Sequence, residues 1–245
     1  MPKNEYQKPQ TDASALILYT VSAVLLLVYL LTDLASRMLW IATVSPMLRL
    51  TLLGLVCLSA FLGARLPRRG DGTMPDGRRV RVRRVLWLCF ALYLHLILMF
   101  TLFDPRLGRD FWSILSATAE DRAYYMRWYV NVKPLETIRT IYIDGYRNGY
   151  ITMRYLLLNM AGNVFAFVPF AFFLPCLFRR VDRFLKFFPL MVAIVAAVEL
   201  CQLGLMCGSC DVDDLILNVG GASLCYAVLR IPPMRRLISW LTLEI

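Results

Sequence analysis

The chain has 245 residues, a formal net charge of +10 and 59% apolar residues. Soluble domains run nearer about 45–50% apolar, and the mean hydropathy of +0.58 sets this chain apart from them. The apolar surplus lies in long runs separated by charged clusters, which excludes a large soluble domain. The basic residues sit between those runs, so they point to membrane topology and away from nucleic acid.

Met1 to Asp12 is polar, with Lys3 and Lys8 as its only cations. No small-x-small cleavage site ends the apolar run that follows, so the run is read as a retained span and not a cleaved leader. A helix needs about 20 apolar residues to cross the hydrocarbon core. Six segments meet that need: 14–32, 39–64, 85–103, 155–178, 187–206 and 214–231. The expectation is an all-α, polytopic transmembrane helix bundle of about six spans. Pro46 and Arg49 interrupt the second run and put its first turns in the interface, and Pro169 is expected to kink the fourth. Three regions follow: 1–84 as a two-span region with an Arg-rich cytoplasmic loop, 85–231 as the core with an outer loop at 104–154, and 232–245 as a cytoplasmic tail. Met234 to Ile245 reads as a short interfacial helix anchored by Trp240.

Lys and Arg set the orientation. Eight arginines lie between Arg65 and Arg84; Arg179, Arg180, Arg183 and Lys186 follow the fourth run; Arg230, Arg235 and Arg236 follow the sixth. With six spans these clusters and both termini share one side, the cytoplasm. Anionic lipid headgroups are a sharper use for the same arginines. The opposite side receives 104–154, where Asp104, Asp110, Glu120, Asp121, Glu136 and Asp144 face eight basic residues. Tyr142, Tyr146 and Tyr150 recur every four residues, so on a helix they share one face. That face is an interfacial aromatic belt or a stacking platform for a sugar.

Polar side chains inside spans are costly and mark function when partners can be named. Asn159 and Asn163 share a face in the outer half of the fourth run. Glu199 and Gln202 share one near the outer end of the fifth. Asp211, Asp213 and Asp214 follow, and Asn218 lies inside the sixth. A helix beginning near Asp211 aligns Asp211, Asp214 and Asn218, while Asp213 points off that stripe. Three consecutive runs thus place polar groups at one depth and on one side. Solvation accounts plainly for Asp211 and Asp213 but poorly for Glu199 and Asn163, whose neighbours are apolar; hydrogen bonding across the bundle is the structural account. Glu199, Asp213 and Asp214 are the candidates for acid–base work, Glu199 through desolvation. Carboxylates and amides are also hard oxygen ligands compatible with a divalent cation, although no metal ligand is assigned and no cofactor is required. His95 is the only histidine, which removes histidine triads and multi-histidine zinc sites; it reads as a bundle residue. Cys207-Gly208-Ser209-Cys210 is a C-x-x-C that opens a thiol–disulfide reading, against which the adjacent aspartates disfavour a thiolate. The seven cysteines suggest no disulfide framework.

Asn159-x-x-x-Asn163 with Phe167-x-Pro169 and Pro175, then Glu199-x-x-Gln202, then Asp211-Val212-Asp213-Asp214-Leu215-Ile216-Leu217-Asn218 with Gly221 and Tyr226, resembles the two core motifs of the VanZ-like family. Asn131-Val132-Lys133-Pro134-Leu135-x-Thr137-Ile138 is similar to its Asn-Leu-Ile-Pro-Phe element, and Thr101-Leu102-Phe103 closes the preceding span as in family members. The resemblance covers roughly 85–230. The chain departs from the pattern at Gly208-Ser209-Cys210, where an Arg is usual before the first Asp, and at Ala171, Cys225 and Leu135. The resemblance implies a multi-pass protein of the bacterial cytoplasmic membrane whose polar site faces outside. Its namesake confers low-level resistance to teicoplanin, apart from cell-wall precursor remodelling. The leading expectation is therefore a site that engages a lipid-linked or lipidated envelope molecule, such as a lipoglycopeptide or a cell-wall precursor, in contact with membrane lipids. Its ligand-binding set is Asn131, Asn159, Asn163, Glu199, Gln202, Asp211, Asp213, Asp214 and Asn218. The alternatives are a metal- or carboxylate-assisted hydrolase or transferase on an envelope lipid, and an extracytoplasmic oxidoreductase using Cys207 and Cys210. A transporter is disfavoured by the apolar inner halves of the runs.

Overall fold

The computed structural model describes residues 13–38, 45–66, 76–103 and 116–243. Asp104, Asp110, Arg68, Arg69, the N-terminal segment and the start of the second predicted run lie outside the described residues. The helices are α1 (Ala13–Met38), α2 (Pro46–Arg65), α3 (Asp76–Leu98), α4 (Ala119–Trp128), α5 (Gly145–Arg147), α6 (Met153–Ala166), α7 (Pro169–Leu177), α8 (Phe184–Leu205), α9 (Val212–Arg230) and α10 (Pro232–Thr242). Two-residue strands β1 (Val130–Asn131) and β2 (Cys210–Asp211) pair in parallel. Among the described residues six segments are long and apolar enough to span a membrane: Ala13–Ala35, Met47–Arg65, Gly77–Phe103, Met153–Leu177, Phe184–Leu205 and Val212–Arg230. The all-α, six-span reading holds. The Arg-rich stretch is less of a loop than expected, because Arg78, Arg79, Arg81, Arg83 and Arg84 already belong to α3.

The chain divides into two compact units, residues 1–92 with 239–245, and residues 93–238. In the first, α2 begins at Ser45, whose hydroxyl accepts the Leu48 N–H at 3.2 Å, with Pro46 pre-setting the first turn. The α1–α2 pair is tied by Ser22 Oγ donating to Val56 O at 3.0 Å. It is also tied by a buried ion pair, Arg49 Nη1 to Asp33 Oδ1 at 3.2 Å. Asp33 just follows the first predicted run, so composition hid it as a partner for Arg49. Breaking such a pair leaves an uncompensated buried charge, at about 3–5 kcal/mol. At the opposite end of α2, Arg65 lies 4.3 Å over the Trp240 ring and donates to Leu241 O at 3.0 Å. The expected tail helix exists as α10, with Met234, Leu237, Ile238 and Leu241 on one helical stripe.

In the second unit α9 is the central helix and packs against α6, α7 and α8. Its closest approach is to α6. A Cβ built on Gly221 would stand 2.0 Å from the Val164 carbonyl oxygen, so only glycine lets these two backbones meet. The kink expected at Pro169 is a full break, because Pro169 lacks an N–H and starts α7 as its first residue. Phe170 N–H turns to Phe167 O at 3.1 Å and leaves the Ala166 carbonyl without its helical partner. Tyr93 Oη donates to that carbonyl at 2.7 Å, as a break inside an apolar span requires. The third span ends in a π-helical turn, Met99–Phe103. At the end of the unit where α7 stops and α8 starts, Arg230 pairs with Asp182, and Tyr226 stacks on Phe187 with centroids 4.5 Å apart. The α8–α9 connection lies at the other end.

Candidate functional site

Around the α8–α9 connection, three spans and the 116–152 segment bring polar residues together. The α8 helix stops because Met206 takes a left-handed conformation (φ 47°), which lets Cys207 N–H reach Gln202 O at 3.0 Å. The chain then forms β2, and Asp211 caps α9 by accepting the Asp213 N–H at 2.8 Å. In the parallel pair, Val130 lies opposite Cys210 and Asn131 opposite Asp211.

Each carboxylate has a separate task. Glu199 Oε2 accepts the Asp211 N–H at 3.0 Å, so the end of α8 holds the start of α9. Asp211 Oδ1 also accepts from Asn131 Nδ2 at 2.9 Å, and the same amide reaches Thr137 Oγ1 at 3.0 Å. Asp213 is wholly buried. Its carboxylate accepts two backbone N–H groups, one from Leu135 and one from Ile138, the latter at 3.0 Å. Leu135 has φ 65° in the turn that Lys133 O and Glu136 N–H close at 3.3 Å, with Pro134 before it. That is a glycine-favouring position occupied by a branched residue, and the bond to Asp213 holds it there. The expectation that Asp211 and Asp213 are solvated is corrected: both are buried, because the helix start is roofed by β1 and the turn after it.

Gln202 Nε2 donates to Thr101 O at 2.9 Å in the π-helical end of the third span, and Tyr125 Oη donates to Gln202 O at 3.2 Å. Tyr125 comes from α4, where Thr118 and Asp121 form a capping box. Hydrogen bonds from Thr118 hold the Asp121 carboxyl below the usual carboxylate range. Thr118-x-x-Asp121 is the sequence signal that could have placed this helix.

Asp214 is different. It is half-buried and accepts from Asn163 Nδ2 across the α6–α9 contact. Asn218, one turn further, donates from Nδ2 to Asp214 O at 2.7 Å. Asn159 is also half-buried, and it donates within its own helix, to Tyr155 O at 2.9 Å.

Tyr142 joins this cluster although its spacing suggested another role. It lies in a π-helical segment, Ile138–Asp144, and is buried, whereas Tyr146 is 42% and Tyr150 82% exposed. The shared tyrosine face is thus corrected. The i→i+5 winding alters the register and the helix ends at Arg147, before Tyr150. Burial, and then the negative charges of Asp214, Asp211 and Asp213 together with Tyr155, push the Tyr142 phenol up to about 12. At neutral pH it is therefore a neutral donor. Cys210 feels the same field: burial first, then Glu199, Asp211 and Asp214, push its thiol up. Cys207 is buried. This environment works against a reactive thiolate. Among the described residues no group of three or more His, Cys, Asp or Glu side chains is disposed to hold a metal ion, and His95 sits half-buried on α3.

All of these contacts from Tyr93 to Tyr226 fall in the stretch of chain that carries the paired Asn, Glu-x-x-Gln and Asp-rich motifs, and the VanZ/LLP1 family model matches residues 90–233. The chain belongs to the VanZ/LLP1 family. No curated protein and no solved structure matches it. The matched region of this VanZ/LLP1 member includes the α6–α9 contact, the α8–α9 connection and the turn at Pro134. Two of its departures from the motif fall on the same elements: Leu135 is the strained turn residue, and Cys210 stands beside Asp211 in β2.

Proposed function

We propose that this VanZ/LLP1 protein carries, at the outer end of its bundle, a polar site that engages a lipid-linked or lipidated envelope molecule, a teicoplanin-type lipoglycopeptide among them. The observation that carries the reading is the division of labour among the carboxylates. Glu199, Asp211 and Asp213 are spent on backbone N–H groups, with Asn131 bracing Asp211 and Gln202 tying α8 to the third span. They are positioning residues. Asp214 and Asn163 are half-buried and bond side chain to side chain between two spans, with Asn159 one turn before Asn163. A ligand's polar part meets these groups. On the same two helices Leu158, Phe165 and Ile216 are exposed. Leu158 and Phe165 are seven residues apart and form one apolar stripe for an acyl chain.

The test is drug susceptibility in a Gram-positive host that expresses the chain. The expected result is a several-fold rise in the teicoplanin concentration needed for inhibition and no change for vancomycin. Asp214→Asn, present in the membrane in equal amount, is expected to return the host to its starting susceptibility. That substitution keeps the size of the side chain and an acceptor for Asn163 but removes the charge. Equal protection by Asp214→Asn would contradict the reading.

A further inference from the structure

We propose that the turn between α7 and α8 seats the headgroup phosphate of an anionic phospholipid. This goes beyond the site reading above and does not depend on it. Arg179, Arg180 and Arg183 lie in the turn and Lys186 in the first turn of α8, and all four are exposed. Among the described residues none of the four makes an ion pair. The one carboxylate in residues 178–188, Asp182, is held by α9. Arg230 pairs with its Oδ1 at 2.5 Å and donates to its backbone carbonyl at 3.0 Å, and Tyr226 Oη donates to the same carbonyl. Arg230 in turn lies 4.7 Å over the Tyr226 ring. The turn is thus fastened to α9 through its acid, and its own four cations stay uncompensated.

The turn is kept at headgroup depth. The span that ends at Leu177 and the one that begins at Phe184 leave only residues 178–183 between them. Both ends of this connection stand at the hydrocarbon boundary. Its centre winds as a 3-10 turn, Arg179–Val181, which rises only about 2 Å per residue. Lys186 reaches back to the interface along its own stem. An anion is the complementary guest for four unpaired cations, and the fork of a guanidinium matches phosphate oxygens. The same stretch exposes Phe178, Phe184 and Phe188. A soluble phosphate answers the cations and leaves those rings in water. A phospholipid answers both, with its acyl chains beside the rings and its phosphate on the cations. Phosphatidylcholine carries a cation of its own, so a net-anionic headgroup such as phosphatidylglycerol is the fitting one.

The test places the full chain in nanodiscs of phosphatidylcholine, with or without phosphatidylglycerol, and follows its thermal unfolding. Ligand linkage predicts a melting-temperature rise of about 3–5 °C with phosphatidylglycerol, which shrinks as added salt screens the charges. A chain with Arg179, Arg180, Arg183 and Lys186 each replaced by Gln is expected to melt like the parent in phosphatidylcholine, because no ion pair is lost, and to lose most of the rise. If that fourfold variant melts early in phosphatidylcholine, Arg179→Gln with Arg180→Gln leaves α8 untouched and is expected to lose about half of the rise. Arg139→Gln with Arg147→Gln removes two exposed cations outside the turn and is expected to keep it. Glycerol phosphate added to phosphatidylcholine discs at equal ionic strength is expected to give no rise. The lipid seat is overturned by no rise with phosphatidylglycerol, by a rise that the turn variants retain, or by a rise that the control loses equally. An equal rise with glycerol phosphate also overturns it and reassigns the turn to a soluble anion.

Discussion

Replacing Asp213 with alanine is expected to release the segment after Pro134 from α9 and to cost about 3–6 kcal/mol. The figure follows from two bonds to one carboxylate, each a hydrogen bond to a charged group worth about 1.5–3 kcal/mol. The partners are the backbone N–H groups of Leu135 and Ile138, so no neighbouring side chain can take over. Leu135 holds a positive φ that its branched side chain disfavours, and loss of Asp213 frees it to relax. Asp213→Asn should fall between alanine and the parent chain. Its carbonyl oxygen satisfies one N–H, while its NH2 points a donor at the other. Thermal melting in detergent reads the loss, and trypsin cleavage after Arg139 reads the opening of the segment. Unchanged melting in Asp213→Ala would mean that the carboxylate is not the clamp.

Gly221→Ala is expected to be as damaging for a different reason. The added methyl would lie 2.0 Å from the Val164 carbonyl oxygen, and the obstacle is backbone that cannot rotate away. Overpacking of flexible cores costs about 1–3 kcal/mol. Here α6 and α9 must separate, so about 3 kcal/mol or more is expected, together with loss of the Asn163–Asp214 bond that their contact supports. Gly220→Ala is the control. Nothing lies within 4 Å of its added methyl, and alanine favours helix over glycine by about 1 kcal/mol. The pair should therefore melt on opposite sides of the parent chain.

The spans were legible in the sequence, and Asn163, Glu199 and Asp214 drew attention there because a polar side chain beside an apolar run stands out against its neighbours. What each one does was not legible. Asp213 and Asp214 are adjacent and chemically identical, yet one is wholly buried under Leu135 and Ile138 while the other reaches Asn163. That difference arises from a turn about 80 residues upstream, which no local pattern encodes. The β1–β2 pair is two residues long on each side, too short to show an alternation. The tyrosine spacing misled because it assumed α-helical winding where the backbone winds as a π-helix. Asp33 escaped notice because it falls just past an apolar run, where a carboxylate looks like a loop residue; its partner Arg49 is 16 positions on.

The central claim is that the Asp214 end of the bundle faces outward, and labelling of introduced cysteines tests it most directly. Tyr150→Cys and Leu185→Cys place new thiols at positions 82% and 86% exposed. Tyr150 is in the segment that leads into α6, and Leu185 lies between Arg183 and Lys186 at the start of α8. Whole cells treated with a membrane-impermeant maleimide should label Tyr150→Cys above the parent chain, and should label Leu185→Cys only after permeabilisation. The reverse pattern would put the carboxylate cluster on the cytoplasmic side and contradict the account.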